Sequence, residues 1–319
     1  MSVIETEKTE EGLMVPGISP TPTRNTPLTK RVFPYLLLAP TLILLLIFSV
    51  YPLLQGLWMS LFKRGIVVVD RSPATWPKFV GLDNFATIFQ DPEFYSTMAK
   101  TVGFVVVAVP LVTACSLALA LLLKPRFLGS SAMRAIAFFP SMISLLIIGV
   151  VWKWLFGLNS GLVNYLLSLI NIAPVPWLNN GLMAQFAVVI VWVWAGAGFY
   201  MMLFITGLTT ISEDLYEAAR VDGTSEWRMF WRITLPLLKP TLSLVIILSS
   251  VEAFKVYELV VSLTGGGPGR STVYLIQTIY ETAFTKANQA GIAAAESAVL
   301  FVILLVLTGT QLRLSKERT

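Results

Sequence analysis

Six runs of apolar residues, each long enough to cross a bilayer as a helix, dominate this sequence: about 33–56, 98–123, 135–156, 184–208, 237–262 and 290–312. A helix needs roughly 20 residues to traverse the hydrocarbon core. Membrane-spanning strands would alternate apolar and polar residues over about ten positions. These runs do not alternate, and LAPTLILLLIFSVY (38–51) reads as helix in spite of Pro40. Composition closes the soluble alternative. Of the 319 residues 55% are hydrophobic and only 13% charged, where a soluble domain carries about 25% charged residues. A water-soluble globule of this size has too little interior to hide that surplus. The chain is expected to be an all-α membrane protein with six transmembrane helices.

The loops set an orientation. Lys30 and Arg31 precede the first run, Lys124, Arg126 and Arg134 lie between the second and third, and Arg313, Lys316 and Arg318 follow the last. The stretch 157–183 has no charge at all. Basic residues collect on the cytoplasmic side, so both termini are expected there, and the loops at 57–97, 157–183 and 263–289 outside. The formal charge of +5 then reflects membrane topology rather than a nucleic-acid surface. The domains expected are a disordered tail at 1–32, rich in proline and threonine, a first helix with its external loop at 33–97, a transmembrane core at 98–313 and a short tail at 314–319. The first apolar run starts too late and runs too long for a cleaved leader.

Residue types absent from the chain exclude several chemistries. Cys115 is the single cysteine and histidine is missing. No internal disulfide, histidine metal site, histidine proton relay or Ser-His-Asp triad can be built.

One loop departs from the charge rule. The segment 209–236 must be cytoplasmic, yet it carries Arg220, Arg228 and Arg232 against Glu213, Asp214, Glu217, Asp222 and Glu226. Its sequence is legible as structure. Ser212 followed by acids suits a helix N-terminus, where a side-chain oxygen can accept from free amides. EDLYEAARVDG forms a short helix stopped at Gly223, which can adopt a left-handed backbone. The amphipathic SEWRMFWRI follows, and Pro236 and Pro240 mark the return into the membrane.

Within this loop Glu217, Ala218, Ala219, Gly223, Ile233, Leu235 and Pro236 match the spacing of the EAA signature. The chain therefore resembles the permeases of binding-protein-dependent ABC importers. YLLLAPTLILLLIFSVYPLLQGLWMSLF (35–62), FVGLDNFATIF (79–89) and LTGGGPGRST (263–272) are similar to the sugar branch of that family, which includes maltose, trehalose and glycerol-3-phosphate importers. The likeness runs from about 33 to 313 and implies the type I ABC importer permease fold. It also implies a second permease, usually a different chain, a dimer of ATPase subunits holding ATP and Mg, and an extracytoplasmic solute-binding protein. This chain would bind no cofactor or metal, catalyse nothing itself and sit in a bacterial or archaeal cytoplasmic membrane.

The resemblance implies that Glu217, Ala218, Ala219, Asp222, Gly223, Ile233, Leu235 and Pro236, in the loop 209–240, couple to the ATPase. The residue types fit that role. Small alanines permit close approach into a cleft, Glu217 can meet a basic partner, and Gly223 turns the chain so that the helix lies flat.

Ionisable groups inside a span are costly. Glu252, Lys255 and Glu258, spaced by three in the fifth run, read as one side of a helix on which Glu252 and Lys255 can pair. At the helical rise Glu252 and Glu296 reach similar depth, with Trp192 and Trp194 near that level and Tyr257 farther out. Carboxylates beside aromatic faces suit a sugar or polyol, so Glu252, Glu296, Trp192 and Tyr257 are candidates for the substrate path. Helix–helix contacts and an interfacial aromatic belt are the competing reading. Trp152, Lys153 and Trp154 read as anchors at a span end. Gly196 and Gly198 allow either close helix contact or a kink.

LTGGGPGRST fails as a phosphate loop, because G-x-x-x-x-G-K-[ST] is not met and no strand precedes it. Gly265, Gly266, Gly267 and Pro268 are instead candidates for contact with the binding protein, as their family counterpart implies. Plain turn chemistry is the alternative. The substrate class expected is a sugar, oligosaccharide or polyol, with glycerol-3-phosphate or an ion-coupled secondary transporter as alternatives. A membrane enzyme lacks its nucleophile or metal set, and a signalling protein lacks room for an output domain.

Overall fold

The computed structural model describes residues 28–63, 78–124, 129–286 and 289–316. Among them the secondary structure is helical, apart from an isolated antiparallel bridge between Phe62 and Phe79. The expected disordered tail lies outside the described residues as far as 27, but 28–32 belong to a helix. Arg126 and Arg318, used above for orientation, also lie outside them.

The chain divides into two units at Leu53/Leu54. The first holds α1 (Leu28–Leu45), a π-helical turn (Leu46–Val50) and the start of α2 (Tyr51–Met59). Leu37–Met59 is long and apolar enough to cross a membrane, with Pro40 inside it. The second unit continues through α3 (Asp83–Gln90), α4 (Pro92–Leu123), α5 (Ser130–Phe138), α6 (Leu145–Leu155), α7 (Leu162–Leu169) and α8 (Gly181–Thr209). It is completed by α9 (Glu213–Val221), α10 (Glu226–Met229), α11 (Leu235–Leu237), α12 (Lys239–Phe254), α13 (Glu258–Leu263), α14 (Leu275–Tyr280) and α15 (Ala290–Lys316).

Four helices can each span a bilayer by length and composition: Leu37–Met59, Pro92–Leu123, Gly181–Thr209 and Ala290–Ser315. The third apolar run is a bent pair, a second bent pair joins the preceding loop segment to the start of the fifth run, and counting each pair as one span gives six. Ser130–Met142 meets Leu145–Leu155 at 100°. The run expected as one helix breaks because Pro140 tightens Phe139–Met142 into a 3₁₀ turn and Ile143 is extended. Ser144 then caps a new helix, its Oγ accepting from Leu146 N at 3.3 Å. Glu226–Leu237 meets Lys239–Phe254 at 68°, next to Pro236 and Pro240.

Local caps account for the other boundaries. Asp91 accepts from Glu93 N at 2.8 Å, with Pro92 in the first turn, so α4 starts earlier than hydropathy suggested. Asn180 accepts from Leu182 N and Met183 N and starts α8. The main core forms where α4 runs along α8. Phe104, Val112, Val188, Trp192, Met201 and Phe204 are buried there, with Leu259 of α13 and Tyr274. Gly198 answers the question left open by sequence: a side chain there would collide with the Ala137 carbonyl, so it serves close packing. A second cluster joins Ile88, Phe94, Phe254, Leu275, Ala295 and Leu300.

Candidate functional site

Three groups of residues stand out. The first is the loop between α8 and α12. Helix α9 ends as expected: Gly223 has φ +72°, Gly223 N donates to Arg220 O at 3.0 Å and Thr224 N to Ala219 O at 2.9 Å. That pair of bonds satisfies the last carbonyls of the helix. Ser212 occupies the cap position, but its hydroxyl points to Asp214 Oδ2 at 3.2 Å and makes no cap bond to the backbone. The side chain of Asp214 offers it a charged acceptor instead.

Helix α9 is anchored on one side only. The Tyr216 hydroxyl and Thr234 Oγ1 are 3.0 Å apart, Lys124 Nζ lies 5.2 Å from the Tyr216 ring centroid, and Arg220 pairs with Glu226 at 3.3 Å. Beneath the helix is an open cleft of about 1100 Å³, lined by Lys124, Tyr216, Arg220 and Phe230 among others. Glu217, Ala218, Asp222 and Gly223 are exposed, Ala219 is half-buried, and Val221 is 88% exposed. Ile233, Leu235 and Pro236 are half-buried where the chain turns into α12. A short helix with an acid, small residues and an apolar tip thus projects from the fold. Glu217 makes no ion pair among the described residues.

The second group lies at the end of α12. Lys255 Nζ is 3.2 Å from Glu252 Oε1, but the helix stops at Phe254. Glu258 opens α13, so the expected single face of Glu252, Lys255 and Glu258 is interrupted by a break. The side chains of Lys255 and Glu252 are 52% and 59% exposed. Backbone broken at membrane depth is tolerated only inside protein or along a water-filled cavity.

The four path candidates are not gathered on one open surface. Glu252 is exposed and Tyr257 half-buried, whereas Trp192 and Glu296 are 6% and 5% exposed. Trp192 packs edge-on against Phe104, with ring centroids 5.6 Å apart, inside the core between α4 and α8. Residues that hydropathy did not single out stand beside Tyr257. Its ring is 5.3 Å from that of Tyr280, which is 4.9 Å from Phe284. Tyr280 is 45% and Phe284 75% exposed. The signal available in sequence was aromatic spacing of four between Tyr280 and Phe284, which puts both on one helix side. Trp152 packs against Phe156 and Trp194, with ring centroids 5.1 and 5.4 Å apart, whereas Lys153 and Trp154 are exposed and free to anchor the span end.

The third group is the glycine-rich turn. Gly265, Gly266 and Gly269 have φ of +63°, +86° and +56°. Gly266 is buried, Gly267 and Pro268 are half-buried, and Gly265 is exposed. The turn is pinned to distant helices. Arg270 pairs with Glu93 at 2.6 Å and Glu281 at 3.1 Å, Lys100 Nζ donates to Arg270 O at 2.9 Å, and Gln185 Nε2 donates to Ser271 O at 2.8 Å. Arg270→Gln is expected to lower stability by only about 1 kcal/mol, since pairs this exposed are screened by water. Thermal unfolding in detergent would check this, and the difference should shrink as salt is raised.

No group of three or more metal-ligating residues occurs among the described residues. The architecture is that of a helical membrane protein with a short, exposed helix projecting between α8 and α12. The chain belongs to the family described as "Binding-protein-dependent transport system inner membrane component", which matches residues 111–317. It is 35% identical to the trehalose/maltose transport system permease protein MalF of Thermococcus litoralis, over 89% of this chain and 94% of the relative. It is 31% identical to the sn-glycerol-3-phosphate transport system permease protein UgpA of Agrobacterium fabrum, over 90% and 96%. A bacterial ABC transporter involved in import of the acidic polysaccharide alginate has a chain that superposes with a TM-score of 0.77 at 25% identity, over 91% of this chain and 97% of that one. This chain is thus a permease subunit and not an enzyme. ATP hydrolysis belongs to a separate subunit, and a second permease and a solute-binding protein complete the importer.

Proposed function

We propose that this chain forms half of the path for a sugar, oligosaccharide or polyol, paired with a permease of different sequence. In this reading the core 98–313 crosses the membrane with both termini inside, each bent pair contributes one crossing, that of the second through α12 alone, and residues 209–240 lie on the cytoplasmic side toward the ATPase. The observation that carries the substrate class is the broken fifth span. An exposed carboxylate, Glu252, stands at the break, and the ladder Tyr257–Tyr280–Phe284 leads away from it. Glu252 can accept hydrogen bonds from substrate hydroxyls, and the rings offer flat apolar faces to the C–H side of a sugar. Trp192 and Glu296 are buried and stand away from this exposed surface. The trehalose/maltose relative favours the same class.

Glycerol-3-phosphate is the second reading, favoured by the exposed Lys255 ammonium and by the UgpA relative. The Glu252 carboxylate 3.2 Å from that ammonium disfavours an anion there. The test is ATP hydrolysis by the complete importer in vesicles, screened with saccharides, polyols and glycerol-3-phosphate. One neutral saccharide or polyol is expected to stimulate it. Glu252→Gln should raise the concentration for half-maximal transport about tenfold, as for a lost hydrogen bond to a charged group. Stimulation by glycerol-3-phosphate alone would replace this reading with the second. An unchanged concentration dependence in the variant would remove Glu252 from the path.

A further inference from the structure

We infer that the arm Glu226–Leu237 is an interfacial helix that binds anionic lipid headgroups. The inference rests on the proposed cytoplasmic placement of 209–240. It adds the bilayer surface itself as a partner.

The geometry comes first. The arm meets α12 at 68°. With α12 along the membrane normal, the arm lies about 22° from the membrane plane, and a usual span tilt of about 20° keeps it nearer the plane than the normal. Its last residue is two positions before Lys239, where the span begins, so the arm sits at headgroup level by continuity of the chain.

The side chains match that position. Met229 and Thr234 face inward, 1% and 5% exposed. Trp227 and Trp231 face outward, 71% and 50% exposed, with ring centroids 5.6 Å apart. Arg228 and Arg232, one position farther round the helix, are exposed as well. Two indoles in one stripe beside two guanidiniums in the next is the pattern of a helix lying in a membrane interface. Indole rings settle among headgroups, and guanidiniums reach lipid phosphates.

Charge makes the surface selective. The one acid of the arm, Glu226, is held by Arg220 at 3.3 Å. Arg228 and Arg232 form no ion pair among the described residues, and Lys239 is exposed at the bend. The arm therefore presents net positive charge to the bilayer, which complements anionic lipid.

Binding here would act on coupling. The arm holds α9 through Arg220–Glu226 and through Tyr216–Thr234. Lipid that fixes the arm in the plane therefore fixes the base from which α9 projects.

The complete importer in nanodiscs containing brominated phosphatidylglycerol tests this. Bromine is expected to quench more tryptophan emission in the native chain than in Trp227→Phe/Trp231→Phe, the difference being the share of these two indoles. Separately, Arg228→Gln/Arg232→Gln should weaken attraction to the anionic surface by about 30-fold, roughly fivefold for each charge, so that substrate-stimulated hydrolysis reaches its half-maximum only at a much higher phosphatidylglycerol fraction or not at all. Equal quenching in native and tryptophan variants would overturn the inference. So would identical activity in zwitterionic and anionic lipid. Loss of the ATPase subunit from the tryptophan variant, with no loss of quenching, would assign this face to that subunit instead. The quenching readout needs no hydrolysis, so failure of the importer reading and failure of the lipid reading are told apart.

Discussion

Glu217→Lys is expected to cut substrate-stimulated ATP hydrolysis by the reconstituted importer about thirtyfold or more, while the chain still folds and inserts. The carboxylate projects from the middle of α9 and makes no ion pair within the described residues. Folding has little stake in it, because exposed substitutions away from such contacts usually change stability by under about 0.5 kcal/mol. In the proposed coupling role its stake lies at an interface. A charge buried against a basic partner costs about 2 kcal/mol or more when truncated, and that corresponds to roughly thirtyfold. Reversal adds repulsion to the loss. Hydrolysis should be measured with saturating binding protein and substrate, and the amount of ATPase subunit retained on the purified complex recorded beside it. Stimulation at the native level would remove Glu217 from the coupling contact and leave α9 as a capped surface helix.

The loop between α8 and α12 was legible because its instructions are local. The stop at Gly223 depends on one residue adopting φ +72° with carbonyls three and four positions back, and the turn into the membrane depends on Pro236 and Pro240. Both are written within a few residues. Hydropathy counts apolar residues in a window, so it saw the third and fifth runs as continuous. It could not see that Pro140 and the extended Ile143 divide one, or that the other stops at Phe254 and resumes at Glu258. Trp192 shows a related limit. Helical rise says how far along the span it lies, but its direction is set by packing against Phe104 of α4. The ladder Tyr257–Tyr280–Phe284 joins residues separated by more than twenty positions, and only the path of the chain between α13 and α14 brings them together.

For the glycine-rich turn two readings stand, packing of the turn itself and contact with the binding protein, and two substitutions separate them. Gly266 is buried at φ +86°, and a side chain there would meet Gln277 Nε2 at 2.7 Å and Val273 Cγ2 at 2.8 Å. Both neighbours are themselves buried and have little room to retreat. Gly266→Val therefore combines a strained backbone with overpacking, together about 3 kcal/mol. The apparent Tm in detergent should fall by roughly 6 °C or more. Gly267, one residue on, is half-buried with ordinary φ, and a side chain there meets nothing closer than Thr264 O at 3.4 Å. Gly267→Asp should leave the Tm near the native value. If the turn seats the binding protein, the added charge should weaken stimulation by that protein several-fold, as charge misplaced at an interface does. A fall in Tm for Gly266→Val with no change in stimulation for Gly267→Asp would make the motif turn chemistry alone. In that case its work is to hold Arg270 between Glu93 and Glu281. Loss of stimulation at native Tm would instead mean that the buried glycine shapes the turn and its half-buried neighbours are read from outside.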